Sequence, residues 1–324
     1  KGVGFSPDGR CVLSSSDDRQ FKLFEVPAST SSTLSTSSSS IPMQPVLTFT
    51  ESEIIYDFAW YPHMNSITPQ TCVFASTSRN APVHLFDAYD GSIRASYRGY
   101  DHYDELSAAL CVSFNVDGDR LYAGYPRMIR IFDVGRPGRQ IEDRPTCAKR
   151  SDKGCQRGIL SCIAFNPDAS GMYAVGSYDR SVWLYDDRSG KPILSFENAH
   201  RGGVTQVQWC PDGTKLVSGG RRDDAIVVWD IRGGTNNALF TFKRDAETNQ
   251  KFSFDISEDG KYLVTGSSRR RVDVHDLILG PEEEEEVVEM VEMVEEAKKR
   301  RGGRDREDQE GKVRFPDAVN GVAL

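Results

Sequence analysis

The chain has 324 residues, 38% of them apolar and 10% aromatic, which is enough to bury a large core in a soluble fold. Its formal net charge of −8 is misleading, because segment 281–311 holds thirteen acids and six bases and leaves the rest close to neutral, so partners cannot be inferred from net charge. No run of eighteen apolar residues occurs, which excludes a membrane-spanning helix. The seven cysteines, an odd number without a Cys-x-x-Cys pair, argue against a disulfide framework and for an intracellular setting.

Taken in chain order, an aromatic residue followed by an acid recurs six times: Phe24-Glu25, Phe86-Asp87, Phe132-Asp133, Tyr185-Asp186, Trp229-Asp230 and His275-Asp276, with His replacing the aromatic in the last. Each pair ends a run of alternating apolar and polar residues. In four copies an Asp-Gly turn, closed by Gly9, Gly118, Gly213 or Gly260, lies 16, 15, 17 and 16 residues before the acid. Successive acids are 62, 46, 53, 44 and 46 residues apart. The shorter intervals approach the roughly 40–45 residues of a four-stranded propeller blade.

The predicted frames are Gly4–Glu25, Ile54–Asp87, Leu110–Asp133, Leu160–Asp186, Val204–Asp230 and Lys251–Asp276. The first residues, Lys1 to Arg10, already belong to a repeat. No signal peptide is seen, and so abrupt a start implies that upstream sequence was removed. Two insertions account for the long intervals: a Ser/Thr-rich tract within 28–41, too polar to pack and read as disordered, and the polar, basic stretch Gln140 to Arg157. In the fifth frame Val204–Trp209, Lys215–Ser218 and Ala225–Trp229 read as strands, Arg221 to Asp224 as a turn, and Asp230 onward as an outer strand. Residues 1–280 therefore predict an all-β fold of six propeller blades.

Beyond them, 281–311 opens on glutamates and closes on Lys298-Lys-Arg-Arg301, with an apolar stripe of Val287, Met290, Val291 and Val294. This suits either a partner-binding helix or a solvated insertion. Residues 312–324 return to blade-like sequence and read as the first strand of an incomplete seventh blade, with its open strand edges lowering stability.

The fifth frame also carries His200, Ser218, Asp224 and Trp229. These could form a catalytic triad, but their places in the repeat favour the structural tetrad of WD-repeat blades, a bond chain from indole through hydroxyl and imidazole to carboxylate. Other blades keep parts of it, Ser14 and Thr265 among them. Gly202-Gly203 and Gly233-Gly234 read as tight interblade turns. The histidines at 63, 84, 102, 200 and 275 are scattered, without a metal-ligand cluster, and no phosphate loop is present. The expectation is a chain that is not an enzyme, takes no cofactor, metal or small-molecule substrate, and is monomeric.

The turn between second and third strands carries arginine in every frame: Arg19, Arg79, Arg127, Arg180, Arg221 with Arg222, and Arg269 with Arg270 and Arg271. In a propeller these turns emerge on one face. Interblade loops are expected to add Arg136, Arg139, Arg150, Lys153, Arg157 and Arg201, with Tyr100, Tyr103 and Tyr178 nearby. Such a face suits the phosphates and unstacked bases of RNA. The alternative is local pairing with Asp18, Asp179 and Asp223.

Segments Ile55–Pro62, Ser78–Asp87, Ile93–Arg98, Asp104–Ala109, Val134–Arg139, His200–Gly203, Ser218–Asp223, Thr248–Gln250 and Asn320–Ala323 resemble the telomerase Cajal body protein 1 family. The resemblance runs along almost the whole chain outside the insertions. It implies a seven-bladed WD-repeat protein of the nucleus that binds small Cajal-body RNAs and, in animals, telomerase RNA, works with ribonucleoprotein partners and is not an enzyme. It marks His200 as a folding residue and Arg221 and Arg222 as candidate RNA contacts. The Ser-rich and Glu-rich insertions depart from that pattern and suggest a divergent lineage. A second reading is a protein scaffold such as a substrate receptor of a cullin-RING ubiquitin ligase, for which Trp229-Asp-Ile-Arg232 is the motif.

Overall fold

The computed structural model describes residues 2–27, 43–147, 152, 154–233, 238–246, 248–268, 271–278 and 280–281. Six sheets follow one another in chain order, each built on an antiparallel meander in which consecutive blade strands are neighbours. Blade 1 comprises Gly2–Phe5, Cys11–Ser15, Gln20–Glu25 and Leu47–Thr50. Blade 2 comprises Ile55–Trp60, Val73–Ser78, Val83–Asp87 and Ile93–Tyr100. Blade 3 comprises Cys111–Phe114, Arg120–Tyr125, Met128–Asp133 and Glu142–Pro145, and blade 4 Leu160–Phe165, Met172–Ser177, Val182–Asp186 and Pro192–Phe196. Blade 5 is Val204–Trp209, Lys215–Gly220, Ala225–Asp230 and Ala238–Lys243. Blade 6 shows Phe254–Ile256, Tyr262–Gly266 and Val272–Asp276 among the described residues. The inner strands of all six line a central channel of about 400 Å³.

The recurring sequence features have physical causes. Gly9, Gly118, Gly213 and Gly260 all have φ between 68° and 73°, a left-handed conformation in which glycine avoids a Cβ clash. The preceding aspartate locks the turn: Asp8, Asp212 and Asp259 each accept a backbone N–H two residues on, at 3.0–3.2 Å. Blade 4 makes the same turn with Ala169, at φ 58°.

The aromatic-acid pair divides its work. Phe86, Phe132, Tyr185 and Trp229 are buried against a neighbouring blade. The acids Asp87, Asp133, Asp230 and Asp276 each accept the N–H two residues later, at 2.7–2.9 Å, and so close the turn toward the outer strand.

Packing runs from blade to blade. Between blades 1 and 2, Phe21, Phe74 and Phe86 are buried, with ring centroids 5.1–6.0 Å apart. Between blades 3 and 4, buried Tyr122 and Tyr173 pack with half-buried Phe165 at 4.7–5.5 Å between centroids. Each such aromatic pair adds about 0.5–1.5 kcal/mol beyond area burial.

Several sequence expectations require correction. Gln140 to Arg157 is not wholly an insertion, since Glu142–Pro145 is the outer strand of blade 3. Just before it, Gly138–Arg139 pairs in parallel with the outer strand of blade 2. The outer strand of blade 5 starts at Ala238, not Asp230. Asp230 ends the third strand and Ile231–Gly233 forms a 3-10 turn. Cysteine parity also misled: Cys147 and Cys155 form a disulfide that closes a local loop, while the other five cysteines are free. The Ser-rich tract at 28–41 and the strand expected in 312–324 lie outside the described residues, as does 281–311 apart from Pro281.

Candidate nucleic-acid interface

The turns between second and third strands all leave the same end of their sheets. Arg19, Arg127, Arg180 and Arg222 occupy left-handed positions there, with φ of 65°, 58°, 74° and 51°. That conformation turns the backbone sharply and leaves all four side chains exposed. In blade 2 the left-handed residue is Asn80 (φ 55°), and exposed Arg79 precedes it. Arg271 is exposed at the corresponding place in blade 6, whereas Arg269 and Arg270 lie outside the described residues.

These arginines are not equivalent. Arg19 donates to the carbonyl of Ser52 at 3.1 Å. Arg221, one residue before the left-handed position, reaches across the seam to blade 4. Its guanidinium lies 4.2 Å from the Tyr178 ring centroid and donates to the Tyr178 hydroxyl at 2.6 Å. It therefore ties two blades together, and of the Arg221-Arg222 pair it is Arg222 that faces solvent.

Interblade loops meet the turns at this end. Arg157 is exposed there, and Arg201 pairs with Asp224 at 3.2 Å. Arg150 and Lys153 lie outside the described residues. Arg136 does not join this face: it sits in the third-to-outer connection of blade 3, at the opposite end of the strands, 4.0 Å from Asp133. Arg139 lies in the same connection, held against the edge of blade 2 by Asp104 at 2.6 Å and by the Tyr100 ring at 4.9 Å. Beside it Tyr103 is 73% exposed and packs on His102 at 3.8 Å between centroids.

Under the rim, blade 5 carries a continuous bond chain. The Trp229 indole N–H donates to Ser218 Oγ at 2.8 Å, and Ser218 lies 2.9 Å from His200 Nε2. A carboxylate facing the other ring nitrogen can only accept, so in the neutral ring the hydrogen sits on Nδ1 and Nε2 accepts from the Ser218 hydroxyl. His200 Nδ1–H donates to that carboxylate at 2.8 Å. The carboxylate belongs to Asp223, not Asp224 as spacing suggested. With Arg222 left-handed, Asp223 turns inward to 2% exposure and also accepts the backbone N–H of Arg201 at 2.9 Å. Asp224 points outward to Arg201. Burial works against the Asp223 charge, but the bonds from His200 and Arg201 outweigh it and hold its pKa below 3.8.

Position 202 demands glycine for a reason other than a tight turn. A Cβ there would fall 1.8 Å from the carbonyl oxygen of Arg221, so only glycine lets the two loops approach.

Two polar features escaped sequence reasoning. Glu51, 2% exposed in the loop between blades 1 and 2, lies 3.0 Å from His84 Nδ1 in the third strand of blade 2. In the channel, Lys251 of the loop before blade 6 faces Asp57 of blade 2 at 4.0 Å, while Asp57 also accepts the Val112 N–H at 3.2 Å. Burial raises the Asp57 pKa against the pull of Lys251. Burial works against the Lys251 charge as well, but Asp57 outweighs it and its pKa is raised. Partners drawn from different blades leave no local spacing to read.

Among the described residues no cluster of His, Cys, Asp or Glu could hold a metal ion. At the far end of blade 5, Arg232 of the Trp229-Asp-Ile-Arg232 motif folds back onto Asp230 at 2.8 Å.

Successive four-stranded blades around a channel, with a Trp–Ser–His–Asp bond chain at one seam, define a WD-repeat propeller. In keeping with this, the WD domain, G-beta repeat family matches residues 1–25, 149–186 and 190–230. The chain is 41% identical over 279 residues to human "Telomerase Cajal body protein 1", covering 85% of this chain and 49% of that protein. It is 35% identical over 285 residues to the Drosophila melanogaster "Telomerase Cajal body protein 1 homolog", covering 86% and 50%. With the Schizosaccharomyces pombe "Guanine nucleotide-binding protein negative regulator 1" identity is 32% over 282 residues, covering 85% and 70%. The chain spans about half the length of the animal relatives it matches. It belongs to the telomerase Cajal body protein 1 family.

Proposed function

We propose that this chain is a non-catalytic, RNA-binding scaffold of the nucleus, which recognises small Cajal-body or related small nuclear RNAs and directs their localisation or assembly into ribonucleoproteins. Telomerase RNA is within the same class. The observation that carries the reading is the exposed arginine presented by successive blades at one end of the propeller: Arg19, Arg79, Arg127, Arg180 and Arg222. Spaced guanidinium groups on a rigid frame suit a folded polyanion, and RNA offers both phosphates and unstacked bases to such a surface. The names of the animal relatives agree with a Cajal-body role.

Crosslinking the protein in cells and sequencing what is attached tests this. Enrichment of small nuclear RNAs with structured loops is expected. Recovery of a ubiquitin-ligase adaptor with no RNA above background would replace the reading with the protein-scaffold one.

A further inference from the structure

The loop from blade 2 into blade 3 ends in a tip that is held from two sides. Asp101 Oδ1 accepts the backbone N–H groups of Tyr103 and Glu105, at 2.8 and 3.0 Å. The Asp101 N–H donates to the Glu105 carbonyl at 3.0 Å, and Asp104 closes the turn in the left-handed conformation, φ 59°. A non-glycine residue keeps that conformation where its surroundings fix it. Here Arg139, arriving from blade 3, donates to the Asp104 carboxylate at 2.6 Å. The next residue, Gln140, bonds both backbone groups of Tyr100 through its side-chain amide, at 2.9 and 2.8 Å.

This fixed tip presents two aromatic rings to solvent. Tyr103 is 73% exposed, His102 is exposed, and their centroids lie 3.8 Å apart. A single exposed ring is ordinary on a protein surface, but two rings in contact on a backbone held in this way form a preorganised face. The tip stands at the arginine-bearing end. At its root Gly99 packs so closely on blade 3 that a Cβ would strike the hydroxyl of Tyr125, two residues before Arg127. Exposed Arg98 and Arg139 lie abreast in the parallel pair at the edge of blade 2, so their side chains leave the same face. Of the two carboxylates on the tip, Asp104 is paired with Arg139 and Glu105 is exposed.

We infer that the His102–Tyr103 face stacks one unpaired nucleobase of the bound RNA, with Arg98 and Arg139 taking the neighbouring phosphates. The inference rests on the RNA-binding reading and deepens it: the arginine turns hold phosphates, and this tip, outside their ring, grips a base. Every base has a π face, so the contact is tolerant of sequence, and a tip already ordered loses little freedom on binding. Tyrosine also anchors protein interfaces, but the paired arginines beside this one favour a nucleic acid.

The test uses the full chain and a synthetic RNA hairpin whose eight-nucleotide uridine loop carries one 2-aminopurine, a base whose fluorescence falls on stacking. The parent should bind it and quench the signal. Tyr103→Ala should bind about five- to a hundredfold more weakly and lose the quench, with an unchanged melting temperature because the ring is exposed. Tyr103→Phe, which keeps the π face, should restore both affinity and quench. If Tyr103→Ala binds and quenches as the parent does while the Arg127→Ala, Arg180→Ala, Arg222→Ala triple variant binds weakly, the tip is not a base site and the RNA-binding reading stands. If Tyr103→Ala keeps its RNA and instead loses a protein that co-purifies with the parent, the tip is a protein anchor and the inference is overturned. If the parent binds no hairpin at all, the RNA-binding reading itself falls.

Discussion

At the scale of single residues, the bond chain of blade 5 shows what spacing alone can resolve. His200, Ser218 and Trp229 were legible because their types and places fit a blade. The carboxylate was not, because Asp223 and Asp224 are adjacent and the choice depends on the left-handed backbone at Arg222. Removing the Ser218 hydroxyl strands both the indole and the imidazole, so Ser218→Ala should destabilise the fold by about 1–3 kcal/mol. Asp223→Ala should do the same, whereas Asp224→Ala, which removes only an exposed pair, should stay within about 0.5 kcal/mol. Urea titrations of the three variants decide this, and equal effects at 223 and 224 would contradict the geometry. The pH dependence follows from the same bonds. Asp223 and Glu51 are held below their ordinary values of 3.8 and 4.5, each by its histidine despite burial. A depressed acid contributes stability that is full above its unfolded pKa and disappears as pH falls through the folded one. The stability gap between parent and Asp223→Asn should therefore be constant near neutrality and close on acidification below about pH 4.

At the scale of elements, blade order and inner-strand positions were readable because a blade repeats its turn, strand and closing acid at fixed distances. Outer strands were not. Glu142–Pro145 is polar on both sides and passed for insertion, and Ala238–Lys243 lies beyond a turn whose length the pattern does not fix. Seam packing was visible only as aromatic content. Phe74, fully buried among Phe21, Trp60 and Phe86, is a sensitive probe of the first seam. Phe74→Ala should cost about 3–5 kcal/mol, measured by chemical denaturation, and a loss under about 1 kcal/mol would mean that blades 1 and 2 do not pack in this way. The Cys147–Cys155 cross-link was hidden by an odd cysteine count, since one local pair leaves five free thiols. Under denaturing, non-reducing conditions five cysteines should alkylate, rising to seven after reduction. Full alkylation without reductant would remove the cross-link.

At the scale of the whole molecule, the arginine-bearing turns matter because the propeller collects them at one end. That gathering was legible in the sequence once the blade register was set. The division of labour within it was not: Arg221 is spent on Tyr178, and Arg136 belongs to the opposite end. Both depend on where loops run, which strand periodicity does not encode. Arg222, Arg180 and Arg127 are therefore the informative substitutions, being exposed and one per blade. The most direct measurement is the salt dependence of binding to a loop-bearing small nuclear RNA, for the parent chain and for the Arg127→Ala, Arg180→Ala, Arg222→Ala triple variant. If the rim holds phosphates, affinity falls and the slope of log K against log salt becomes shallower by about 0.7–0.9 for each phosphate the variant no longer neutralises. Unchanged affinity and slope in the folded triple variant would show that the RNA, if bound, lies elsewhere.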